Sequence, residues 1–313
     1  MKTIPLSILE IKKELKQIDN LKTKTLSLEY LASRLTKLSA GLWTPTYGIN
    51  PHPDYDLCRA QIGEHSNISR LWYPPSERVQ QLGRMNDIGE QMFYASYGAN
   101  AQLGSLDEVG AKIGDYVTQI FCRKSSTIPL VPLVTLGHAD EFFSYDQIND
   151  INYTVRDRQE RKKNLMIRNW MNKEFCRKVP EGSEHMYIKT NAISKAYFKG
   201  FNCAGIFFPS VASTGKCINL VLPAHVADEH LTPVKARVVQ IMARDEKQFL
   251  FQYVRESTSI ESDGTIIWKE HTTYNTKCPQ TTGQERVKIA EGKYLIKDSK
   301  LPPNAFYIES SKI

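Results

Sequence analysis

An arginine, a tyrosine and a glutamate within one stretch of the chain have the side chains needed to bind an anionic ligand and act on it. Arg84 lies between Gly83 and the turn-forming Asn86, so backbone can approach a ligand closely while the guanidinium offers planar donors to phosphate oxygens. Tyr94 presents a flat aromatic face with a hydroxyl group, and Glu108 presents a carboxylate. Such residue types suit phosphate binding, ring stacking and stabilisation of a developing positive charge.

Local patterns predict the elements that position these side chains. The prolines at 74 and 75 favour an extended segment ahead of the turn, because each fixes its own φ and restricts the preceding residue. Residues 91–96 are apolar and aromatic, which predicts a strand with Tyr94 near its end. Residues 99–109 predict a helix that carries Glu108, and glycines after it lead into a strand at 116–121.

The order of these features resembles that of the RES family, whose members are ADP-ribosyltransferase-like enzymes. The resemblance covers residues 55–239, and its specificity lies in the ordered set of motifs, since no single motif is specific. In the family order, the matching residues are Arg59 in a short strand, Gly83-Arg84-Met85-Asn86, Gly89, Tyr94, Glu108 ahead of Gly114-Asp115, Ser210 after Gly205–Pro209, and Asn219-Leu220.

The resemblance implies an α+β fold with an ADP-ribosyltransferase-like split mixed β-sheet and flanking helices. It implies cleavage of NAD⁺ between nicotinamide and ribose, with NAD⁺ as substrate and no metal. The catalytic residues would be Arg59, Glu108 and Ser210. Glu108 would stabilise the cationic ribose, and Ser210 would orient the ribose or carboxamide. The residues expected to bind NAD⁺ are Arg59, Arg84, Asn86, Tyr94 and Ser210.

Several points stay open in this interpretation. Asp107 is an alternative to Glu108 as the site acid, because the spacing from Tyr94 is about three residues longer than in the family. Ala60 stands where family members often have an aromatic residue. The acceptor of ADP-ribose could be water, phosphate or a macromolecule. Many family members are toxins, which implies a neutralising antitoxin protein as a possible partner.

The composition indicates a soluble globular protein. Of the 313 residues 41% are hydrophobic, but no apolar run approaches the roughly 20 residues of a membrane helix. The N-terminal apolar run is broken at Glu10, so we expect a cytoplasmic protein without a signal peptide. The six cysteines form no CxxC pair, which favours reduced thiols. His225 and His230 are not spaced as in HExxH, and we interpret them as structural.

A basic segment keeps a second class of function open. Residues 155–178 are rich in Lys and Arg and have an apolar side formed by Leu165, Ile167, Trp170, Met171 and Phe175, which predicts an amphipathic helix. The net charge of +7 allows contact with nucleic acid, although the sequence contains no motif of a known nucleic-acid-binding fold. The alternative function is therefore a catalytically silent RES-fold protein that binds nucleic acid or a protein partner through this helix.

The sequence predicts three regions. Residues 1–48 form an N-terminal helical cap, with Ser7 and Ser27 at the starts of two helices and a loop from 42 to 56 after them. Residues 49–240 form the catalytic domain. This domain includes an edge strand or buried extended segment near 128–134 and a helix at 184–198. Residues 241–313 form a β-rich extension, with strands at 248–255 and 264–268.

Overall fold

The structure is a computed structural model that describes residues 3–49, 57–125, 130–137, 155–213, 217–244 and 249–270. It also describes the backbone of residues 285–290, 293–297 and 307–310. Across these ranges the protein combines a large mixed β-sheet with several helices.

Two N-terminal helices confirm the predicted hairpin. Helix α1 (Ile8–Asp19) begins with a capping box, in which the Ser7 amide donates to Glu10 Oε2 at 2.7 Å and the Glu10 amide donates to Ser7 Oγ at 3.2 Å. Helix α2 (Leu28–Leu38) begins at Ser27, whose Oγ accepts from the Tyr30 amide. The residues that these helices bury are Ile11, Leu15, Ile18, Leu28, Leu31, Leu35 and Leu38.

Among the described residues, ten strands form one sheet. In chain order they are β1 (Thr46–Ile49), β2 (Leu57–Ile62), β3 (Met92–Tyr97), β4 (Tyr116–Lys124), β5 (Leu130–Thr135), β6 (Gly205–Pro209), β7 (Ile218–Pro223), β8 (Leu231–Arg244), β9 (Phe249–Ser257) and β10 (Lys269–Glu270). Their order across the sheet is β1-β5-β6-β7-β3-β2-β4-β8-β9-β10. The pairing of β5 with β6 is parallel, and the other pairings are antiparallel.

Four further α-helices lie in the described residues: α3 (Ala101–Glu108), α4 (Arg158–Phe175), α5 (Ile188–Lys195), which a π-helical turn (Ala196–Gly200) follows, and α6 (Ala224–His230). Helices α1, α2, α4 and α5 share one apolar core with the sheet, in which Phe175 and Ile193 meet Phe208 and Val221. Helix α3 packs through Leu106 against Ala60, Val117 and Val239 of neighbouring strands. The end of α3 that carries Glu108 is thereby held against the sheet.

Helix α4 corresponds to the predicted basic helix, and it buries Ile167, Trp170, Met171 and Phe175 of the predicted apolar side. Leu165 is 39% exposed, whereas Asn164 and Asn172 are buried and bind the backbone amides of Trp43 and Gly137. Several of its basic groups also have partners within the fold. Lys163 Nζ, for example, donates to the Ile4 carbonyl and to Glu160.

Strand β1 lies in the predicted loop, and β5 is not an edge strand because it lies between β1 and β6. The register between β1 and β5 shifts between Tyr47 and Ile49, opposite Val131 and Pro132. A bulge leaves residues outside the regular hydrogen-bond ladder, so the missing N–H of Pro132 is tolerated there. Residues 50–56 lie outside the described ranges.

In the C-terminal part, β9 matches the predicted strand at 248–255, and other features depart from the prediction. Residues 264–268 form isolated bridges, Asn67↔Thr265 and Ile260↔Ile266, in place of the predicted strand. The proposed boundaries at residues 48 and 240 fall inside β1 and β8. Strands β11 (Glu285–Ala290), β12 (Lys293–Lys297) and β13 (Tyr307–Ser310) form a separate antiparallel sheet.

Candidate active site

The candidate site lies where two neighbouring strands separate. Strand β2 pairs with β3 through Leu57↔Tyr97 and Cys58↔Ser96, whereas its pairing with β4 continues as far as Ile62. Beyond Cys58, the described residues contain no further pair between β2 and β3. The sheet therefore opens at this point, and the next residue of β2 is Arg59.

The guanidinium group of Arg59 spans this opening. Its Nε donates to the carbonyl oxygens of Leu71 and Trp72 at 2.8 and 3.0 Å, and its Nη1 donates to the Tyr94 carbonyl at 2.8 Å. Its Nη2 makes no hydrogen bond with the part of the chain that the structure describes. Three carbonyl groups from two segments thus hold the guanidinium plane in one orientation.

The Arg59 cation is paired with neutral groups. Its central carbon lies 5.8 Å from the centre of the Phe93 ring, and it forms no ion pair with a carboxylate of the described residues. Burial lowers the pKa of Arg59 to about 10, which leaves the side chain protonated at neutral pH. A partly buried cation without a counter-ion loses part of its hydration, so an anionic ligand would stabilise this arrangement.

Glu108, the last residue of α3, is held by two hydrogen bonds to one carboxylate oxygen. Its Oε1 accepts from Ser210 Oγ at 2.5 Å and from Asn219 Nδ2 at 2.8 Å. The other oxygen, Oε2, has no hydrogen bond among the described residues. The carboxylate is therefore fixed in orientation and keeps one oxygen available to a ligand.

Ser210 lies behind Glu108 and is fully buried. Its Oγ donates to Glu108 and accepts from the Ser213 amide at 3.0 Å, while its own amide donates to the Cys217 carbonyl at 2.8 Å. The hydroxyl group is thus occupied by protein groups. These contacts differ from the predicted contact with ribose or carboxamide and make Ser210 a residue that positions Glu108.

Asn219 and Ser96 complete this support, and the sequence interpretation assigned no role to either. Asn219 Oδ1 accepts from Ser96 Oγ at 2.9 Å, and the two residues are direct partners of β7 and β3. Each is a polar residue within a mostly apolar strand. This pattern is the sequence signal for a buried polar pair, because a buried polar group needs a partner.

Two chambers adjoin the opening and share Arg59 and Tyr94. The first, about 270 Å³, is lined by Cys58, Arg59, Ala60, Gln61, Tyr94, Ala95, Ser96, Ser105, Glu108, Val109, Phe208 and Asn219. The second, about 430 Å³, is lined by Arg59, Pro74, Arg78, Val79, Gln80, Gln81, Asn86, Glu90, Met92 and Tyr94. The structure therefore places the carboxylate of Glu108 in one chamber and Asn86 in the other, with Arg59 between them.

Tyr94 connects the site to the glycine–arginine turn. Its hydroxyl group donates to Asn86 Oδ1 at 2.9 Å and accepts from the Met85 amide at 3.1 Å, and burial raises its pKa. Its ring packs edge-on to Phe208, with 6.3 Å between ring centres. The hydroxyl group thus holds the turn, while the ring forms part of both chamber walls.

Gly83 lies where the Asn86 side chain approaches the backbone, and a Cβ at residue 83 would overlap Asn86 Oδ1 and force that side chain to move. We expect Gly83→Ala to lower the free energy of unfolding by about 1–3 kcal/mol through this overlap. Chemical denaturation would measure the change. Asn86→Ala removes the side chain that causes the clash. Gly83→Ala should therefore destabilise the Asn86→Ala protein less than it destabilises the parent protein. A Gly83→Ala protein as stable as the parent would contradict this explanation.

Arg84, like Ser210, is a predicted ligand-binding residue that lines neither chamber. Its Nη1 donates to the Phe175 carbonyl at 2.6 Å and to the Arg177 carbonyl at 3.5 Å, and its central carbon lies 5.2 Å from the Tyr187 ring centre. A cation at the C-terminal end of α4 also interacts favourably with the helix dipole. Its contacts are those of a structural residue.

Asp107, the alternative acid, lies outside the first chamber. Its Oδ1 accepts from Arg244 Nη2 at 3.0 Å, and Arg244 Nη1 donates to the Ala111 carbonyl at 2.6 Å. The carboxylate of Asp107 thereby ties α3 to β8. The structure brings Glu108, and not Asp107, to Ser210 and Asn219.

A carboxylate on α6 holds the backbone that binds Arg59. Asp228 Oδ1 accepts from Trp72 Nε1 at 2.9 Å, and its Oδ2 accepts from the Tyr73 hydroxyl group at 2.6 Å. The hydrogen bond to Asp228, together with burial, raises the pKa of Tyr73 to about 12. The carbonyl oxygens of Leu71 and Trp72 accept the hydrogen bonds from Arg59 Nε. Asp228 therefore fixes the segment that orients Arg59.

The remaining sequence features lie apart from this cluster. His225 and His230 stand at the two ends of α6, and the described ranges contain no group of three potential metal ligands. The five cysteines within the described ranges form no disulfide bond among themselves, and burial raises the pKa of Cys58 to about 12. None of the described helices is both long enough and apolar enough to cross a lipid bilayer.

Comparison with solved structures finds a chain of low similarity. No protein-family description and no curated protein matches the chain. A chain in the crystal structure of the M. tuberculosis MbcT-MbcA toxin-antitoxin complex is similar, with a TM-score of 0.33 and 11% identity, covering 68% of this chain and 94% of that chain. A likeness of this degree shows neither a shared fold nor a shared activity.

Proposed function

We propose that the protein cleaves NAD⁺ at the bond between nicotinamide and ribose. The observation that carries this proposal is the Glu108 carboxylate, which is fixed through Oε1 and keeps Oε2 available in the chamber that it shares with Arg59. The RES-like order of the motifs supports the same activity. Arg59 is the cation that would bind a phosphate oxygen of the dinucleotide.

The proposed reaction uses these groups as follows. The bond between ribose C1′ and the ring nitrogen breaks, its electron pair stays with the departing neutral nicotinamide, and the ribose becomes oxocarbenium-like. The fixed charge of Glu108 stabilises this cation more than it stabilises the bound substrate, which lowers the barrier. Ser210 and Asn219 act through Glu108 by keeping its carboxylate in place. A lone pair on an acceptor oxygen then forms the new bond to C1′, and when the acceptor is water its proton is released to solvent.

A product analysis tests the proposal and distinguishes the acceptors. The purified protein is incubated with NAD⁺ with and without inorganic phosphate, and products are separated by chromatography. Release of nicotinamide is the expected result. Free ADP-ribose would identify water as the acceptor, and a phosphorylated ADP-ribose would identify phosphate. ADP-ribose attached to a macromolecule would identify a transferase. A folded protein that releases no nicotinamide under any of these conditions would refute the activity.

Asp228 is expected to affect substrate binding through Arg59. We expect Asp228→Ala to raise the KM for NAD⁺ about 5- to 20-fold with little change in kcat, the size expected for a weakened charge-assisted hydrogen bond. Steady-state kinetics measures both constants. Asp228→Asn, which keeps one acceptor oxygen, should recover part of the loss. Glu229→Gln, a charge change at the neighbouring exposed residue, is the matched control and should leave KM unchanged.

The resemblance also implies a neutralising protein partner, which stays a prediction. Binding of nucleic acid through α4 is less supported, since Arg161 Nε and Lys163 Nζ donate to backbone carbonyls and the guanidinium of Arg168 lies 5.3 Å from the Trp43 ring centre. These charges take part in holding the fold. Binding to generic DNA or RNA should therefore be weak at physiological salt.

A further inference from the structure

The second chamber has the features of an anion-binding site beyond the Glu108 chamber. Arg78, at the end of a short 3₁₀ turn (Ser76–Arg78), lines this chamber and is exposed. The described residues give the Arg78 guanidinium no hydrogen bond and no ion pair. Arg59 lines the same chamber and also lacks a counter-ion among them. Two guanidinium groups without anionic partners therefore border one cavity.

The acidic residue in the lining does not neutralise these cations. Glu90 Oε1 forms an ion pair with Lys195, and Glu90 Oε2 accepts from the Asp87 amide at 2.8 Å. Its charge is compensated and both of its oxygens are engaged. The chamber consequently keeps the positive charge of Arg59 and Arg78, which favours a ligand with more than one negative charge.

The size and the other lining groups suit a nucleotide. A cavity of about 430 Å³ lies within the range of small-molecule sites, which is about 300–1,000 Å³. Pro74, Val79 and Met92 offer apolar surface to a base, and the amide groups of Gln80 and Gln81 offer donors and acceptors. A diphosphate could receive hydrogen bonds from Nη2 of Arg59 and from the guanidinium group of Arg78.

We propose that the second chamber binds a nucleoside diphosphate by itself, with Arg78 and Arg59 as its phosphate-binding residues. This inference rests on the proposed function in one respect: NAD⁺ contains the same nucleoside diphosphate as ADP. It goes further in one respect, because binding here requires neither nicotinamide nor Glu108. A nucleotide such as ADP would therefore compete with NAD⁺ for this chamber.

Calorimetry with ADP and adenosine as probes tests the inference. ADP should bind with saturation and adenosine should not, because the diphosphate provides the charge. Arg78→Ala should weaken ADP binding about tenfold or more, as expected for a lost charge-assisted contact. Arg70→Ala is the matched control. Arg70 is an exposed arginine at the end of another 3₁₀ turn (Ile68–Arg70) and does not line the chamber. Glu108→Gln should bind ADP like the parent protein.

The outcomes separate this inference from the proposed function. Saturable ADP binding that depends on Arg78 supports the chamber even if the protein releases no nicotinamide. Where nicotinamide is released, ADP should inhibit competitively with respect to NAD⁺. Absent or non-saturable ADP binding, or equal ADP affinity in Arg78→Ala and the parent protein, would overturn the inference while leaving NAD⁺ cleavage intact. Circular dichroism would verify that each variant is folded.

Discussion

Glu108→Gln should slow the release of nicotinamide by about 10²-fold or more while NAD⁺ still binds. Glutamine keeps the size of the side chain and one oxygen that can accept from Ser210 and Asn219. The negative charge is lost, and its stabilising effect is largest when the ribose is cationic. The effect should therefore appear in kcat, with a smaller change in the Kd for NAD⁺.

Single-turnover kinetics with excess enzyme would isolate the chemical step, and calorimetry would measure binding. Asp107→Asn is the matched control, because Asp107 pairs with Arg244 and lies outside the chamber lining. Asp107→Asn removes a neighbouring carboxylate and keeps the charge of Glu108 beside Ser210. Loss of activity in Asp107→Asn, with Glu108→Gln still active, would reverse the assignment of the acid. Full activity in both variants would exclude the proposed mechanism.

Arg59→Lys should weaken NAD⁺ binding by about 1.5–3 kcal/mol, or roughly 10- to 100-fold. Its guanidinium binds three carbonyl groups in one plane and keeps Nη2 available, and an ammonium group cannot reproduce that planar set of donors. Calorimetry would measure NAD⁺ binding to the Glu108→Gln protein, which turns over slowly, with and without the Arg59→Lys substitution.

Arg84→Lys is the comparison that decides which arginine binds the ligand. From the sequence, Arg84 is predicted to bind phosphate, and this substitution would then weaken NAD⁺ binding. Because its guanidinium binds the carbonyls at the end of α4, we expect unchanged NAD⁺ affinity and a loss of about 0.5–1.5 kcal/mol in unfolding free energy. The opposite result, weak binding in Arg84→Lys and normal binding in Arg59→Lys, would place Arg84 at the ligand.

Elements with local signals were predicted from the sequence. The capping box at Ser7 and Glu10 and the leucine repeat of α2 are contained within a few residues, so they need no knowledge of the rest of the chain. Strand β1 lies in a Pro- and Gly-rich stretch and forms through pairs such as Tyr47↔Leu133. Its strand conformation depends on a distant partner, which no local pattern reports.

The same distinction applies to the candidate site. Motif order brought together Arg59 and Glu108, which line one chamber in the structure. Motif order does not predict that Arg84 donates to the Phe175 carbonyl. It also does not predict that the hydroxyl group of Ser210 forms hydrogen bonds with Glu108 and Ser213. Residue type shows what a side chain can bind, but its partners are set by the topology of the sheet.

The separation of the site's parts along the chain bears on how the protein is made. Glu108 is 102 residues from Ser210 and 111 from Asn219, and β3 pairs with β7 although three strands lie between them in sequence. Contacts of such long range form late and slowly, because loop closure costs entropy before the contacts compensate for it. A nascent chain that has exposed Arg59 and Glu108 but not yet β6 and β7 lacks the groups that fix the carboxylate. The site would therefore assemble only when the central strands close, so incomplete translation products would be inert.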